Sequence, residues 1–339
     1  MRGWVGRYGV GLALLGLVLV AAVLVPGFFT RENLTTVLLH TSINAILALG
    51  LTFVIVTAGI DLSVGSVMAL AGVLAAATLT SGSVLGTVGV AGAVGLALAA
   101  GLATGVGAGL VNGGVTAWFG VAPFMVTLAA MTIARGAARL FTGGVPIGFP
   151  PRGDPLFDQK VAALDALHAF GGGRLPVPGL PRGFPVPALV MLVLAVAAWF
   201  VLSRTRFGRY VYAVGGNEEA ARLAGVPVRF VKLGVYAIAG GCAGLAGLLM
   251  VGQLRSGGPD AGMLYELNAI AAAVIGGASL FGGIGTAWGA VVGALIIGVL
   301  NNALDLLGVQ SFWQEIVKGV IILMAVLFDV WTKRGAARA

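Results

Sequence analysis

An all-α integral membrane fold of about ten transmembrane helices is predicted by the composition, the spacing of the apolar runs and the placement of the basic residues. The 339 residues are 59% hydrophobic and only 9% charged, with a mean hydropathy of +1.04. These values exclude a soluble globular domain, because too few polar side chains are present to cover its surface. At about 20 residues per span, the chain has room for roughly eight to eleven transmembrane helices. We expect all of them to belong to one transmembrane domain, residues 1–339.

The apolar runs divide the chain into ten predicted spans, separated by proline, glycine or charged residues. Asn33 is the predicted N-cap of the second span. The first span follows a basic segment without a convincing small-residue cleavage site, so we expect it to be retained and not removed as a signal peptide. The predicted spans are Tyr8–Val25, Asn33–Ala58, Val64–Leu79, Gly86–Val111, Ala122–Phe141, Ala188–Ser203, Leu233–Gly252, Leu267–Leu280, Thr286–Leu304 and Phe312–Trp331.

The longest charge-dense interruption, residues 204–232, is predicted to face the cytoplasm. It holds six of the chain's twenty Lys and Arg residues against two acidic ones, as the positive-inside rule expects of a short cytoplasmic loop. With the N-terminus inside, ten spans also place the tail residues Lys333, Arg334 and Arg338 inside and residues 145–187 outside. That outer loop has four basic and three acidic side chains, so it is nearly neutral, as expected of an external loop.

A short helix, Glu218–Leu223, is predicted within the basic loop. Asn217 can cap its first N–H groups, and Glu218 and Glu219 fall in the first turn, where the helix dipole favours negative charge. Gly225 follows as a stop signal. Such an amphipathic helix on a cytoplasmic face is typical of a docking element for a soluble partner, and the alternative is a solvated loop helix without a partner.

Several other kinds of site are excluded. The net charge of +8 comes from basic residues scattered among helix ends and loops, so we expect no nucleic-acid partner. Cys242 is the single cysteine, which rules out a disulfide framework, and we find neither a metal-ligand cluster nor a catalytic dyad. The sequence has no GxxxxGK[ST] phosphate loop, so ATP chemistry is not expected in this chain.

Polar side chains at membrane depth are the candidates for a translocation pathway, because a charge buried in lipid is costly. Asp61 and Ser63 have a second interpretation as a cap for the helix that begins at Val64. Amides that end glycine-rich helices can bond solute hydroxyls or the last helical carbonyls. Phe124 and Thr127, which follow Pro123, either line the pathway or only pack against neighbouring helices. The full set is Asp61, Ser63, Asn112, Phe124, Thr127, Glu266, Asn268, Asn301 and Asn302.

A weak internal repeat relates the two halves of the chain. GLATGVGAGLVNGG resembles GAVVGALIIGVLNNAL in its glycine-rich helix and its Asn-bearing end, and each follows an acidic interruption, GIDLSVG or YELNAIA. Because each half contains an odd number of predicted spans, the halves would have opposite orientations. Inverted repeats are typical of transporters that open to alternate sides of a central pathway.

Five stretches together resemble the permease subunit of ribose-type sugar ABC importers. The resemblance runs from about Phe28 to Asp329 and keeps the order and spacing of the motifs. It implies a fold similar to the ten-helix type II importer permeases, such as the cobalamin importer. The stretches are GIDLSVGS from Gly59, TLAAMTIARGAARLFTGG from Thr127, TRFGRYVYAVGGNEEAARLAG from Thr205, YELNAIAAAVIGGASLFGGIGT from Tyr265 and LNNALDLLGVQSFWQEIVKG from Leu300.

The resemblance also implies partners. They are a second copy of the permease, an ABC ATP-binding subunit on the cytoplasmic face of the inner membrane, and a periplasmic or surface-tethered sugar-binding protein. ATP and Mg²⁺ would belong to the ATP-binding subunit, and this chain would bind no cofactor. The outer loop departs from the family pattern in length and in proline and glycine content. GGNEEAARLAG corresponds to the family's coupling helix, which assigns ATPase coupling to Gly216, Asn217, Glu218, Glu219, Ala220, Arg222, Leu223 and Gly225.

The function that the resemblance implies is import of a monosaccharide such as ribose, xylose or galactose. The same resemblance extends to permeases for autoinducer-2 and to nucleoside importers. An ion-coupled secondary transporter is the alternative of another class, and the few intramembrane acids and the predicted docking helix count against it. Dependence of uptake on an ATPase and a binding protein separates the two classes.

Overall fold

The computed structural model describes residues 2–336, with the side chains of 2–8, 322, 325–326 and 328–336 excluded. The predicted basic tail lies outside the described side chains, and Arg338 lies outside the described residues altogether. The elements are α1 Arg2–Leu24, α2 Arg31–Val56, α3 Val64–Thr80, α4 Gly82–Phe119, α5 Pro123–Thr142, α6 Phe157–Gly171, β1 Arg174–Val177, β2 Leu180–Pro185, α7 Val186–Arg204, α8 Arg206–Gly216, α9 Glu218–Leu223, α10 Val228–Leu254, α11 Tyr265–Ile275, α12 Ala287–Leu306 and α13 Ser311–Ala336.

The prediction of a helical membrane protein is confirmed. Within the described residues, six helices are long and apolar enough to cross a membrane, namely α2, α4, α5, α7, α10 and α12. Three apolar helical stretches are shorter: Gly9–Leu24, α3 and α11. The count of ten spans therefore stays a prediction.

Helix α2 lies at the centre of the bundle, and every residue from Thr41 to Thr57 is buried. The prediction that Asn33 caps it is wrong. The helix begins two residues earlier, and the hydroxyl of Thr30 accepts from the Asn33 backbone N–H at 3.3 Å. The Asn33 side chain instead exchanges hydrogen bonds of 2.8 Å with Asn302 of α12, which fastens the beginning of α2 to the end of α12.

Helices α4 and α10 pack with their backbones in close contact. A Cβ atom added to Gly105 would lie 2.2 Å from the carbonyl oxygen of Gly240, and one added to Gly240 would lie 2.1 Å from that of Gly105. At Gly109 the added atom would lie 2.1 Å from the Tyr236 carbonyl oxygen. Small residues permit this approach, as the glycine-rich sequence of α4 predicts. The helix changes direction at Gly89, where φ is 68°.

Helix α11 is shorter than the predicted span Leu267–Leu280. Its 11 residues extend about 16 Å at 1.5 Å per residue, roughly half the hydrocarbon thickness of a bilayer. The helix stops where Gly276 packs against α12, since a Cβ atom there would lie 2.2 Å from the Gly289 carbonyl oxygen. Gly277 follows with φ of +92°, a left-handed conformation that glycine adopts without strain.

The segment 145–187 is ordered in a way that the sequence did not predict. Helix α6 buries Leu164 and Leu167 in a cluster with residues of α4 and α10. Strands β1 and β2 form an antiparallel hairpin in which Leu175 pairs with Phe184. The turn of the hairpin accepts a hydrogen bond at the Gly179 carbonyl from Arg31 Nη1, at 2.8 Å. The hairpin is thereby fixed to the beginning of α2.

Candidate functional site

Helix α9 forms with the bounds and the caps that the sequence predicts. Asn217 Oδ1 accepts from the Ala220 backbone N–H at 2.9 Å, which is the expected N-cap bond. Glu218 and Glu219 occupy the first turn. The chain leaves the helix through Gly225, whose φ of +81° favours glycine. These local signals suffice to define the helix.

Two contacts anchor α9 to the membrane-spanning bundle. Ala221 is buried, and Glu218 forms an ion pair of 2.7 Å with Lys232 of α10 and one of 3.2 Å with Arg222. The side chain of Leu223 is left 83% exposed. The other exposed members of the predicted coupling set are Gly216, Asn217, Glu219, Ala220, Arg222 and Gly225.

Helix α8, which the sequence did not predict, connects α9 to the interior. Its Tyr212 hydroxyl donates to the Gly285 carbonyl at 2.7 Å, and burial raises the pKa of this phenol, so it remains a donor at neutral pH. A Cβ atom on Gly215 would lie 1.7 Å from the Val56 carbonyl oxygen. That same carbonyl accepts from Gly283 N–H at 2.9 Å. Helix α8 therefore contacts both the end of α2 and the α11–α12 connection.

Asp61 is the centre of a buried polar network and is only 1% exposed. Its Oδ1 accepts from the Ser63 backbone N–H at 2.8 Å and from the Ser63 hydroxyl at 2.6 Å. The Asn112 amide donates to the same hydroxyl at 2.9 Å. Ser63 is the N-cap residue of α3 but forms no side-chain capping bond. The network thus ties the α2–α3 connection to α4, and Thr127 of α5 joins it through the Ile60 carbonyl at 3.2 Å.

Replacing Ser63 by alanine is expected to lower the free energy of unfolding by about 1–3 kcal/mol, because the change removes a buried bond to Asp61 and leaves the Asn112 amide without its acceptor. Thermal denaturation of the purified protein in detergent measures the effect. Ser83→Ala is the control, since the Ser83 hydroxyl is exposed and bonds only to Ser81; its effect should stay within about 0.5 kcal/mol. Equal melting temperatures for the two variants would contradict the structural role of the network.

A second polar group surrounds the α10–α11 connection. Arg135 Nη1 donates to the Pro259 carbonyl at 2.7 Å and the Ala261 carbonyl at 2.9 Å, and Arg139 pairs with Asp260 at 2.7 Å. Glu266 is 8% exposed. A Cβ atom added to Gly65 of α3 would lie 2.2 Å from the Glu266 Oε2 atom. Helix α5 therefore holds this connection, while Glu266 packs against α3.

Three of the candidate amides, Asn268, Asn301 and Asn302, line one cavity of about 280 Å³. The cavity lies between α2, α11, α12 and α13. Its other polar lining residues are His40, Thr41, Asn44, Tyr265, Asp305, Gln314 and Lys318.

Sequence reasoning missed the contribution of α2 to this cavity. Val37, His40, Thr41 and Asn44 recur at intervals of three, one and three residues, which places them on one helical face. That periodicity was the available signal. The whole run is apolar enough to be a span, which masks the polar face.

The structure therefore separates the predicted pathway residues into different places. Asn268, Asn301 and Asn302 share the cavity. Asp61, Ser63, Asn112 and Thr127 are buried in the network between α2, α3, α4 and α5. Phe124, at the beginning of α5, is 50% exposed. Among the described residues, no group of three or more His, Cys, Asp or Glu side chains could hold a metal ion.

Known proteins match almost the whole chain. Residues 33–326 match the family described as branched-chain amino acid transport system / permease component. The ribose import permease protein of Escherichia coli K12 is 45% identical over 97% of this chain and 95% of its own length, and that of Bacillus subtilis 168 is 41% identical over 96% and 94%. The xylose transport system permease protein of Escherichia coli K12 is 37% identical over 91% and 87%. No solved structure matches.

The match to the family extends from the beginning of α2 into α13, and so includes the central helix, the buried network, the basic loop and the cavity. The relatives also match over nearly their full lengths. This chain belongs to the family of branched-chain amino acid transport system permease components.

Proposed function

We propose that the chain is the transmembrane permease subunit of an ATP-driven importer, and that it translocates a monosaccharide delivered by an extracytoplasmic binding protein. The observation that carries this proposal is the similarity, along nearly the whole chain, to permeases named for ribose, allose and xylose. The relatives named for ribose have the highest identities among them, so ribose is the first solute to test. Helices of membrane-crossing length support a multi-pass protein of the bacterial inner membrane.

The proposed topology has ten crossings, made by α1–α5, α7 and α10–α13, in two inverted halves. Helix α11 is too short to cross alone, so the glycine-rich chain that follows it completes the passage. Interrupted helices of this kind are common in transporters, where irregular backbone lies within the protein and not against lipid. The basic loop 204–232 then lies in the cytoplasm and the hairpin β1–β2 outside, in agreement with the charge of the two segments.

In this proposal α9 docks to an ATP-binding subunit, which carries ATP and Mg²⁺. The exposed Leu223 supplies an apolar contact, and the ion pair between Glu218 and Lys232 transmits force to α10. The adjoining helix α8 contacts the end of α2 through Gly215 and the α11–α12 connection through Tyr212. A displacement of α9 would therefore reach α2 directly and α12 through the α11–α12 connection, and both helices line the cavity. This contiguous set of contacts is the physical basis proposed for coupling.

A second permease copy completes the proposed assembly. Helix α5 presents large apolar side chains on its surface, including Ile133 at 70% and Leu140 at 86% exposure. Such a surface suits either lipid or another copy of the chain. The binding protein would dock on the opposite side of the membrane from α9, where α6 and the hairpin form an ordered surface.

Affinity purification of the tagged chain from membranes of its native host tests the proposal. The expected result is recovery of a protein with ATP-binding domains, in a fixed ratio to the permease, identified by mass spectrometry. A tagged unrelated multi-pass protein from the same membranes is the control for non-specific capture. Recovery of this chain alone under several mild detergents would contradict the importer assembly.

A further inference from the structure

The connection between α10 and α11, residues 255–264, runs back along α3 before α11 begins, and we name it the strap. A Cβ atom added to Gly257 would lie 2.9 Å from the Gly72 carbonyl oxygen, and one added to Gly262 would lie 2.9 Å from the Gly65 carbonyl oxygen. At 1.5 Å per residue, the strap therefore follows α3 for about 10 Å. Irregular backbone thus lies beside a helix of the bundle.

The strap lies at membrane depth in the proposed topology. Its Pro259 and Ala261 carbonyls bond to Arg135, which lies about 18 Å along α5 from Pro123. Irregular backbone at this depth is tolerated only within the protein or beside a water-filled space. The Asp260 side chain of the strap is 55% exposed, and exposing a carboxylate to lipid is costly. The exposed side of the strap therefore borders water, as a pathway for a polar solute requires.

The backbone at both ends of the strap has the geometry of a hinge. Arg255 has φ of +52° and Leu264 has φ of +65°. Residues other than glycine adopt this left-handed conformation at a cost, and such strained positions occur at switch regions. Three glycines lie between the two ends, namely Gly257, Gly258 and Gly262, and glycine permits large changes of backbone direction. The strap is thus built to swing about its two ends.

Polar contacts hold the strap in place. Arg135 Nη1 donates to two strap carbonyls at 2.7 and 2.9 Å, and bonds from a charged donor are the stronger kind. Gly257 exchanges backbone hydrogen bonds of 2.7 and 3.0 Å with Ile147. The ion pair of Arg139 with Asp260 is exposed on both sides and so adds little. Arg135 is therefore the side chain whose removal would release the centre of the strap.

The outer end of the strap contacts α6. Arg255 Nε lies 2.9 Å from Asp165 Oδ1, but the two groups are not aligned as a hydrogen bond, and both side chains are partly exposed. Such a pair is weak. Helix α6 belongs to the surface where the binding protein would dock. A displacement of α6 on docking would therefore act on the strap at one of its hinges.

Helix α5 also holds the corresponding connection in the first half of the chain. The Thr127 hydroxyl donates to the Ile60 carbonyl at 3.2 Å, in the α2–α3 connection. This connection begins beside Ala58, whose φ is +59°, just as the strap begins at Arg255. In the proposed inverted halves the two connections start from opposite sides of the membrane. One helix thus contacts both, as a transporter that opens to alternate sides would require.

We propose that the strap is the outer gate of the solute pathway and that Arg135 is a positioning residue that holds this gate closed. The inference rests on the proposed importer function. Docking of the loaded binding protein displaces α6, the strap swings about Arg255 and Leu264, and Arg135 releases its two carbonyl acceptors. Water in the pathway satisfies these groups while the gate is open. The bonds form again after the sugar has passed.

A disulfide between Gly148→Cys and Ser256→Cys tests the gate. A Cβ atom on Gly148 would lie 3.1 Å from the Ser256 Cβ atom, slightly below the range of about 3.5–4.5 Å found in disulfides, so a small shift of these two connecting segments permits the bond. It would fix the strap in the closed position. Proteoliposomes carry the permease, its ATP-binding subunit, its binding protein, ATP and radiolabelled D-ribose. Oxidation should lower uptake about tenfold or more, because the open state is no longer populated, and dithiothreitol should restore it.

The single variants Gly148→Cys and Ser256→Cys are the controls for this experiment. Each should keep its uptake within about twofold after oxidation. They also control for the native Cys242, which is a free thiol. Mass spectrometry of a non-reduced digest measures the cross-linked fraction. Since the same molecules are assayed before and after reduction, a failure to fold cannot produce the expected result.

Labelling of Pro259→Cys tests the role of Arg135. Pro259 is buried, so the thiol should react slowly with a membrane-impermeant maleimide. Arg135→Ala should raise the labelling rate about tenfold, because two hydrogen bonds from a charged donor are lost. Arg135→Lys retains a charged donor and should give an intermediate rate. Arg174→Ala is the matched control, since Arg174 donates at 3.1 Å to Thr35 of α2 and not to the strap; its rate should stay within about twofold.

The native Cys242 separates opening of the gate from general loosening of the fold. Its labelling should be unchanged by Arg135→Ala, and an equal rise at Cys242 and at Pro259→Cys would overturn the positioning role. Reversible loss of uptake on oxidation, with faster labelling of Pro259→Cys alone, supports the gate.

Normal uptake by the cross-linked protein, or a labelling rate that Arg135→Ala leaves unchanged, overturns the gate while the importer function stands. If the wild-type transporter moves none of D-ribose, D-xylose and D-allose, the proposed function fails, and the gate fails with it.

Discussion

Replacing Gly109 by leucine is expected to eliminate folded protein, whereas the same replacement at Gly107, two residues away on α4, should be tolerated. A Cβ atom at Gly109 would lie 2.1 Å from the Tyr236 carbonyl oxygen, and this contact is with backbone that cannot rotate away. At Gly107 nothing lies within 4 Å. Because both glycines lie within one helix, their intrinsic helix propensities are matched and the difference reports packing alone.

The magnitude follows from the marginal stability of proteins. Overpacking a well-packed interior commonly costs about 1–3 kcal/mol, and a clash with backbone through a four-carbon side chain should exceed that range. Total stabilities are only about 5–15 kcal/mol. Size-exclusion profiles of fluorescently tagged variants, recorded after heating in detergent, provide the measurement. Equal melting temperatures for Gly109→Leu and Gly107→Leu would contradict the close contact of α4 and α10.

Replacing Leu223 by aspartate is expected to abolish ATP-driven uptake while the permease remains folded. Leu223 is 83% exposed, so the change costs little in the isolated chain. In the proposed docked state it would place an unpaired carboxylate in an apolar contact, which is strongly unfavourable. Co-purification of the ATP-binding subunit, together with the melting temperature of the permease, separates loss of docking from loss of folding.

Leu223 is a better target than Glu218 for this experiment. Reversing the charge of Glu218 would also break its ion pairs with Arg222 and Lys232 and so disturb α9 itself. Leu175→Asp is the control. Leu175 is also an exposed leucine, at 45%, but it lies on strand β1, which the proposed topology places on the external side of the membrane, opposite α9. The ATP-binding subunit should co-purify with Leu175→Asp. Its recovery at wild-type levels with Leu223→Asp would count against a docking role for α9.

Local signals predicted some elements to the residue. Helix α9 depends on Asn217 as its cap and on Gly225 after its end, both of which act over a few residues. The end of α11 depends instead on the contact of Gly276 with Gly289 of the next helix. No hydropathy pattern distinguishes that stop from continued apolar helix. Helix α6 was missed for a similar reason, because burial of Leu164 and Leu167 against other helices outweighs its proline- and glycine-rich flanks.

The candidate site shows the same division between local and tertiary information. The amides at the end of α12 stand out in the sequence because polar residues are rare in such helices. Thr41 and Asn44 do not, since the run around them is apolar and only the packing of α2 at the centre gives them a shared cavity. Asp61 stood out as a buried acid, but its partners Ser63 and Asn112 became evident only once α4 was packed against the α2–α3 connection.

Reconstituted uptake tests the central claim most directly. The permease is placed in proteoliposomes with or without its ATP-binding subunit, binding protein and ATP, and accumulation of radiolabelled D-ribose is followed with and without an imposed proton or sodium gradient. We expect accumulation only when ATP and both partners are present, and no response to either gradient. Accumulation by this chain alone, driven by an ion gradient in the absence of ATP, would contradict the account and identify a secondary transporter.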